Sequence, residues 1–509
     1  MNKENANPIQ LKEWLELHPY TAECDSDAFY VTLANDLHEA WLKSRLTFNA
    51  KPEVIRRISL YLAAYAEDIK SGFGLWQAFV TRHNALYGKR LPFYDSTEGT
   101  DTSRPQIADI NFIIWYSLQL LQGKPTRMVF PPLLNGLSTL AGMLVERLRK
   151  DFDQAPVNTR LAGLFANPQV YGNFIQLRNL LNWFFAHSYL IEPSVQEKIM
   201  MNHRIIADRF KEATDEQKNV FMFGIMQDTI FNYPCGPLAL YVKDWMHAIV
   251  PADSEAAGLY LGIDARPSLF WLVKAIDGNG MTLDCLQRDE CITVDKAMFK
   301  DAEKFTAGKT VINSGFVSYG GRWYVSGIVA VSDTDDPRLK NVRKAPSKAQ
   351  LAEVHRNVCH QFLEVNGGQH LAFFADFAGM SAFFTDKMKW PANDALEKQL
   401  GKSRNFVLFA DEDKGVTIAT NIAEYIKADG NPLYNKGEAE KQSVLIFINK
   451  GQCPIDLLEF LVDEGMLPDA NFPTYGNTHN VKVGKRLLQD NWDFIARMFL
   501  NEFYWGEAR

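Results

Sequence analysis

The stretch from Ser268 to Ile276 (SLFWLVKAI) decides the fold. Before it, apolar residues recur every third or fourth position, and from here on they recur at every second position. It runs into Asp277-Gly278-Asn279-Gly280, a sequence typical of a tight hairpin turn. Met281 to Cys285 then alternates apolar and polar residues, which is the pattern of a half-buried strand. The sequence therefore predicts a β-hairpin at this point.

Further strand-like runs follow this hairpin. Cys291 to Val294 alternates again, and a short helix is expected around Lys296 to Lys304. Thr310 to Tyr319 and Arg322 to Val331 form a second pair, joined by Gly320-Gly321, which permits the positive φ angles of a tight turn. Five short strands in about 65 residues predict a small antiparallel β-barrel of the SH3-like or OB-like kind, spanning residues 254–335.

Residues 1–253 have helical spacing throughout, so we expect an all-α domain. In Pro52 to Ala66 one apolar stripe is clear, with Arg56, Arg57 and Glu67 off it. This stripe consists of Val54, Ile55, Ile58, Leu62 and Tyr65.

Asp109 precedes another apolar run and is expected to be the N-cap of the helix that this run forms. Other helices are expected at Leu133 to Asp151, Gly172 to Leu190, Ser194 to Glu212 and Asp215 to Phe231.

The polar, proline-containing residues 336–348 are expected to be an exposed connector, and residues 349–509 a mixed α/β domain. The fold class is therefore a multi-domain α+β protein. Its expected C-terminal strands are Leu371 to Phe377, Asn405 to Ala410 and Val444 to Ile448. Its expected helices are Gln350 to Val365, Thr417 to Ala428, Ile455 to Glu464 and Val483 to Phe503.

Composition places the chain among ordinary globular proteins. It has 509 residues, 47% of them hydrophobic and 23% charged, a length that favours two to four domains. A net charge of -7 without a long basic stretch weighs against duplex nucleic acid as a partner. The first ten residues are polar, unlike a signal peptide. Six cysteines without a CxxC pair indicate free thiols.

No membrane association is expected, because the most apolar window, Phe174 to Ile191, contains five polar side chains that a lipid-exposed span would not tolerate. We therefore expect a buried helix there and a cytoplasmic protein. No cofactor-binding sequence is present: the glycine pairs match neither the Walker pattern nor the dinucleotide fingerprint, and GxSxG, HExxH and kinase motifs are absent. These absences weigh against the enzyme classes that motifs reveal.

The acidic run Asp411-Glu412-Asp413 follows directly on the predicted strand from Asn405. Carboxylates at the end of a strand can hold a divalent cation or perform acid/base chemistry. The alternative is a solvated loop in which the acids stabilise the positive end of a helix beginning at Lys414-Gly415.

His355 and Cys359 are four residues apart on one predicted helix face, a spacing that can share a metal ion. No third or fourth ligand is visible nearby in the sequence. An ordinary helix with a neutral histidine and a buried thiol explains the pair equally, so we expect no metal.

A candidate binding surface combines barrel aromatics with the basic connector. Small barrels use such groups to hold single strands or peptides. The alternative is that these aromatics pack in the barrel core. Trp323 and Tyr324 are adjacent in a strand, so only one of them can face outward, and Trp323 is expected in the core. The barrel segment is also slightly acidic. The candidate residues are Tyr319, Tyr324, Arg338, Lys340, Arg343 and Lys344.

The leading hypothesis is a non-catalytic binding or scaffolding protein with a protein or peptide partner. It is favoured by the lack of a convergent polar motif and by aromatics such as Trp390, Tyr475 and Trp505. One alternative is a cation-dependent hydrolase or phosphoryl-transfer enzyme that uses Asp411, Glu412 and Asp413. Another is a single-stranded nucleic-acid binder acting through the barrel.

Three stretches carry a family resemblance. They are Asp109 to Trp115 (DINFIIW), Gly320 to Gly327 (GGRWYVSG) and the C-terminal run through Asn431 to Tyr434 (NPLY) and Asn491 to Phe494 (NWDF). Together they resemble an uncharacterised bacterial family found especially in Bacteroides-type organisms. The resemblance covers most of the chain and implies a bacterial cytoplasmic setting. It assigns no chemistry to any residue.

Overall fold

The computed structural model describes residues 7–94, 103–121, 136–441, 446–447, 453–468 and 481–499, with side chains in the last helix from residue 490. The described chain forms two compact units that divide between Ala345 and Pro346. The first unit holds the helical part and the barrel, and the second holds the C-terminal part. Each is described by itself.

The helical part is built from short and medium α-helices joined by turns. The described α-helices are α1 (Leu11–Leu15), α2 (Asp27–Ser44), α3 (Pro52–Ser71), α4 (Leu75–Tyr87), α5 (Ile107–Leu121), α6 (Gly136–Lys150), α7 (Pro168–Tyr171), α8 (Phe174–His187), α9 (Glu192–Arg209), α10 (Asp215–Asn232), α11 (Val242–Ile249) and α12 (Glu255–Leu261). The predicted helical N-terminal half is confirmed.

Most residues of helix α3 are buried in the helical core. Pro52 occupies its first turn, where a missing N–H is tolerated, and Gly72 ends it with φ 68. Each residue of the predicted apolar stripe is buried. Glu67, expected off that stripe, is also buried at 1% exposure. Helices α2 and α5 both pack on α3, so residues outside the stripe are buried as well.

The prediction that Asp109 is an N-cap was wrong. Helix α5 begins at Ile107, so Asp109 lies within the first turn, and its residue is 0% exposed. Its carboxylate accepts hydrogen bonds from Tyr65, Trp76 and Arg90. These partners hold the side chain inside the core, away from the amides at the helix start.

The middle of the chain forms the predicted barrel. Its strands are β1 (Asp264–Asp277), β2 (Gly280–Cys285), β3 (Cys291–Asp295), β4 (Thr310–Tyr319), β5 (Arg322–Val325) and β6 (Ala330–Asp333). Five of them close in the order β1-β2-β3-β5-β4, with β4 pairing back to β1. This crossing order is that of a five-stranded Greek-key barrel, the OB-like alternative of the prediction.

One pairing in the barrel is parallel, which the prediction of an antiparallel barrel missed. Val294 of β3 pairs with Trp323 of β5 in parallel. The reason is geometric. Strands β1, β2 and β3 alternate in direction, so β3 runs the same way as β1. Strand β4 runs antiparallel to β1 and β5 antiparallel to β4, so β5 also runs the same way as β3. The predicted helix from Lys296 is two short 3₁₀ turns, Lys296–Met298 and Ala302–Lys304.

The barrel core comes from the alternating apolar residues of its strands. Trp271 and Phe316 contact each other edge to face at 5.4 Å between ring centroids. Trp323 packs against this core, as predicted. Other core members are Val273, Met281, Leu283, Ile292, Val294 and Ile312.

The strand predicted from Arg322 to Val331 is broken into β5 and β6. Between them Ser326 still donates its backbone N–H to Gly315 at 3.0 Å, but Gly327 leaves the ladder. A Cβ atom on Gly327 would lie 3.4 Å from the carbonyl oxygen of Gly224 in α10. The helix therefore approaches the strand backbone at the break.

The C-terminal part is a three-stranded antiparallel sheet covered by helices, which confirms the predicted mixed α/β class. Its described elements are α13 (Lys348–Val365), β7 (Leu371–Asp376), α14 (Phe377–Ala382), α15 (Asp394–Leu400), β8 (Arg404–Asp411), β9 (Gly415–Ala419), α16 (Lys436–Ala439), α17 (Ile455–Asp463) and α18 (Val481–Phe499). Strand β8 lies between β7 and β9.

The helix predicted from Thr417 to Ala428 was wrong, because this segment begins with β9. Gly415, at φ 75, turns the chain back after β8, and the β-branched residues Val416, Thr417 and Ile418 then pair with β8. The strand predicted from Val444 to Ile448 lies mostly outside the described residues, as do Tyr475 and Trp505. Trp390 is half-buried and stacks on Phe384 at 5.2 Å.

In the part of the chain that the structure describes, no helix combines the length and the apolar composition needed to cross a bilayer. All six cysteines are free, as the sequence predicts.

Candidate functional site

The two barrel tyrosines of the predicted binding surface face the helical part. Tyr319 is 5% exposed and donates its hydroxyl to the backbone oxygen of Tyr171 at 2.5 Å. Tyr324 stacks on Phe174 of α8 at 4.2 Å between ring centroids. Both rings are therefore used in packing the barrel on the helices.

The basic residues of the connector are exposed. Arg338 forms an ion pair with Asp336 two residues earlier, and Lys344 forms one with Asp289 of the β2–β3 loop. Arg343 donates to the carbonyl oxygens of Lys340 and Val342. The connector therefore contacts the β2–β3 loop of the barrel, and the charges of Arg338 and Lys344 are paired with nearby carboxylates.

The acidic run Asp411-Glu412-Asp413 forms the turn between β8 and β9. Asp411 Oδ1 accepts the backbone N–H groups of Asp413 at 2.8 Å and Lys414 at 3.2 Å. The expectation that Lys414 begins a helix was wrong, because the turn closes a hairpin. The Asp411 side chain has a structural role here: it stabilises the turn.

The structure brings the candidate metal pair to this same turn. His355 Nδ1 is 2.5 Å from the backbone oxygen of Asp413, and His360 is 3.5 Å from Glu412. Cys359, however, is 0% exposed and belongs to the apolar core of this unit. Burial raises the pKa of its thiol, which disfavours the thiolate that binds metals. Among the residues that the structure describes, no group of three metal-ligand side chains includes His355 or Cys359.

A concave site lies on the barrel where the β1–β2 turn meets the β3–β4 connection. We name it the barrel groove, defined by Ile276, Asn279, Asp295, Lys296, Phe299, Glu303 and Phe305 among its lining residues, and its volume is about 480 Å³. Ile276 is 38% exposed, whereas Phe299 is 6% exposed. The groove thus combines apolar side chains with charged and polar ones, as ligand-binding clefts often do.

A buried polar contact joins the barrel to α10. This helix starts at a capping box, in which Thr214 and Gln217 satisfy each other's backbone N–H groups. Gly224 and Asp228, four residues apart, then lie on the face that meets the barrel. A Cβ on Gly224 would be 2.2 Å from Ile328, so the close approach requires glycine.

Asp228 is the polar centre of this contact. Its partial burial raises the pKa of its carboxyl to about 6, an effect that the backbone N–H of Ser268 and the amide of Asn232 partly offset. Ser268 lies at a register shift in β1, next to Pro267, which has no N–H for the ladder. The irregular strand therefore presents a donor to the helix.

A second buried polar cluster lies among α1, α2 and α3. We name His18, Asp27 and Glu67 the buried triad; their exposures are 6%, 0% and 1%. One ligand-type atom from each lies within 4.8 Å of the other two. His18 Nε2 is 2.7 Å from Glu67 Oε2. Burial lowers the pKa of His18, but the charge of Glu67 and its hydrogen bond outweigh this and raise it overall.

Two further acids are buried nearby in the helical core. Asp68 accepts the N–H groups of Gly74 and Trp76, each at 2.7 Å, and the hydroxyl of Tyr189 at 2.8 Å. Burial nevertheless raises the pKa of Asp68 to about 6. Asp109 forms a two-pronged ion pair with Arg90, at 2.5 and 2.9 Å. Both acids hold helices together.

Sequence reasoning missed the buried triad and the Asp228 contact. The triad spans 49 positions between His18 and Glu67, so no local motif marks it. The Asp228 contact did leave signals, namely Pro267 directly before the strand predicted from Ser268, and glycine at positions 315 and 327 within two predicted strands. Such residues in strands often mark a close approach of another backbone.

Comparison with known proteins gives one match. Searches of curated proteins and of solved structures return no match. One family model matches residues 9–265 and 323–501 and leaves out residues 266–322, which contain most of the first four barrel strands. These matched ranges cover well over half of the chain, and the chain therefore belongs to the family described as "Protein of unknown function (DUF3843)".

Proposed function

We propose that this chain is a non-catalytic binding or scaffolding protein of the bacterial cytoplasm, and that the barrel groove holds an extended peptide segment of a protein partner. The observation that carries the proposal is the groove itself. Its volume of about 480 Å³ falls within the usual range for ligand sites. The cytoplasmic setting is supported by the free cysteines, which are typical of a reducing compartment.

The lining of the groove favours a peptide. Ile276, Phe299 and Phe305 offer an apolar floor and wall, onto which alternate side chains of an extended segment can pack. Asn279 and Lys296 supply donors, and Glu303 an acceptor, for main-chain and polar side-chain groups.

The charge of the groove weighs against nucleic acid. Asp295 and Glu303 outnumber the single cation Lys296 among its lining residues. A phosphate backbone requires an excess of positive charge at the surface that it follows. The groove therefore suits a neutral or basic peptide.

The test is selection of a random peptide library displayed on phage against the full chain. We expect enriched peptides to bind the wild type and to lose at least about tenfold in affinity, or about 1.4 kcal/mol, with the Ile276→Lys, Glu303→Lys double variant. The matched control is Ile175→Lys, which places a charge at an equally apolar and 60% exposed position on α8.

Two results would contradict the proposal. One is that no peptide is enriched by a chain that circular dichroism shows to be folded. The other is that enriched peptides bind the groove variant and the Ile175→Lys control equally well, which would place the binding surface elsewhere.

A further inference from the structure

The buried triad of His18, Asp27 and Glu67 has the donors and the charge of a metal site. Three different segments supply it: the turn after α1, the first residue of α2 and the last third of α3. Imidazole nitrogen with two carboxylates is a donor set that suits divalent first-row metals such as zinc and manganese. The atoms already lie within 4.8 Å of one another.

The charge balance of the triad indicates a cation. Both carboxylates are almost fully buried, and among the described residues neither is within 4 Å of a lysine or arginine nitrogen. With His18 protonated, the cluster still holds a net charge of about -1, and burying net charge is strongly unfavourable. A divalent ion with a neutral imidazole would make the cluster neutral.

The hydrogen bonds of His18 identify the nitrogen atom that would bind the ion. Its Nδ1 is 2.8 Å from the backbone oxygen of Trp14, which can only accept, so Nδ1 carries a proton. In the neutral ring Nε2 then presents a lone pair to Glu67 Oε2 at 2.7 Å. Two lone pairs repel at this distance, so either a proton or a metal ion has to lie between the two atoms.

The outer contacts of the triad are those of an oriented metal site. His18 donates to a backbone carbonyl, Glu67 Oε1 accepts from Asn158 at 2.9 Å, and Asp27 accepts from Trp14 Nε1 at 2.9 Å. Such contacts fix the ring and the carboxylates that bind a metal. The Tyr20 hydroxyl accepts from Asn158 Nδ2 at 2.6 Å and donates to Asp27 Oδ1 at 3.1 Å, which orients the Asp27 carboxylate further.

We propose that His18, Asp27 and Glu67 bind one divalent first-row metal ion, which joins α1, α2 and α3 within the helical core. Ligand atoms on a tetrahedral ion with bonds of about 2.0–2.1 Å are roughly 3.3 Å apart. His18 and Glu67 therefore separate by roughly 0.6 Å when the ion replaces the proton between them. This site is independent of the barrel groove.

The test uses untagged full chain, because a histidine tag would bind metal. The chain is unfolded in urea with chelator and refolded with Zn²⁺ or Mn²⁺, since the triad is buried and closed to solvent. After dialysis, elemental analysis is expected to give one metal ion per chain. The bound ion is expected to raise the thermal midpoint relative to chain refolded with chelator alone.

The variants separate a metal site from a structural polar cluster. Glu67→Gln and His18→Asn are expected to lose the metal and the metal-dependent rise in thermal midpoint. Asp68→Asn is the matched control, because Asp68 is the neighbouring buried acid and faces other partners. It is expected to retain one ion per chain even where it lowers stability.

The proposal is overturned if folded wild-type chain retains neither ion, which would leave a protonated His18 and Glu67 pair as the content of the cluster. It is equally overturned if Glu67→Gln and His18→Asn bind as much metal as Asp68→Asn. Should a variant fail to refold, Asp27→Asn provides a third removal of one ligand with the side-chain shape preserved.

Discussion

A methyl group added to Gly315 of the barrel would lie 2.4 Å from Oδ1 of Asp228 in α10. It would also lie 2.5 Å from the hydroxyl oxygen of Ser326 and 3.0 Å from the backbone oxygen of Arg266. The helix carboxylate thus occupies the space that every residue other than glycine would need at position 315. This contact links the helical part and the barrel into one unit.

Gly315→Ala is expected to destabilise the first unit by about 1–3 kcal/mol, because helix and strand have to move apart to admit the methyl group. Urea unfolding followed by tryptophan fluorescence measures the change. Gly142→Ala in α6 is the control, since its added carbon meets nothing within 4 Å. That variant is expected to gain about 0.5–1 kcal/mol from helix propensity; equal losses in both variants would contradict the tight contact.

The pH dependence of stability should report on Asp228. Its folded-state pKa of about 6 lies above its ordinary value, so the stability that it contributes is complete below about pH 4 and is lost as pH rises through about 6. After allowance for solvent screening the loss is roughly 2 kcal/mol. Asp68, with a pKa of about 6, acts in the same direction.

Asp228→Asn is expected to reduce the decline in unfolding free energy between about pH 4 and 6.5, because asparagine does not ionise. Denaturant titrations at several pH values measure the slope. A slope in Asp228→Asn as steep as that of the wild type would show that this carboxyl does not titrate as inferred.

Arg90→Ala is expected to cost about 3–5 kcal/mol, since it leaves the fully buried Asp109 without its cation. Adding Asp109→Asn should restore part of this loss, which a double-mutant cycle measures. The exposed pair of Lys43 and Glu39, at 72% and 64% side-chain exposure, gives the comparison. Lys43→Ala is expected to change stability by less than about 0.5 kcal/mol.

Asp411→Ala is expected to destabilise the second unit by about 1 kcal/mol, because the backbone N–H groups of Asp413 and Lys414 lose their acceptor. Hydrogen exchange at the β8–β9 turn should accelerate. Glu412→Gln in the same turn, at 64% side-chain exposure, should remain within about 0.5 kcal/mol of the wild type. A loss of stability in Glu412→Gln as large as that in Asp411→Ala would contradict the specific role of the Asp411 carboxylate.

The barrel and most helices were predictable because their apolar residues repeat at the period of the element. The run from Ser268 to Ile276 and the stripe on α3 are examples, and both fold as expected. The β8–β9 hairpin was not predictable in this way. The apolar residues near Thr417 fit both helical and strand spacing. The positive φ of Gly415 decides for the hairpin, and this backbone angle cannot be deduced from the spacing of apolar residues.

The polar contacts were the least predictable part. Asp109 resembles an N-cap by position, but Arg90 and Tyr65, which hold it in the core, are distant in sequence. The tyrosines at 319 and 324 resembled a binding surface because an exposed and a packed aromatic have the same sequence signature. Only the position of Phe174 reveals that they are packed.

The family match leaves out residues 266–322, and the two ends of this stretch lie close together in the barrel. Ser318 in β4 pairs with Asp264 on one side and with Trp323 on the other. The two ends of the omitted stretch are thus one strand apart, or about 10 Å at two interstrand spacings. Three or four extended residues can bridge such a distance. Topologically the stretch is therefore an insertion that a short connection could replace, and helical residues that contact it, such as Asp228 in α10 and Tyr171 in α7, belong to the matched sequence.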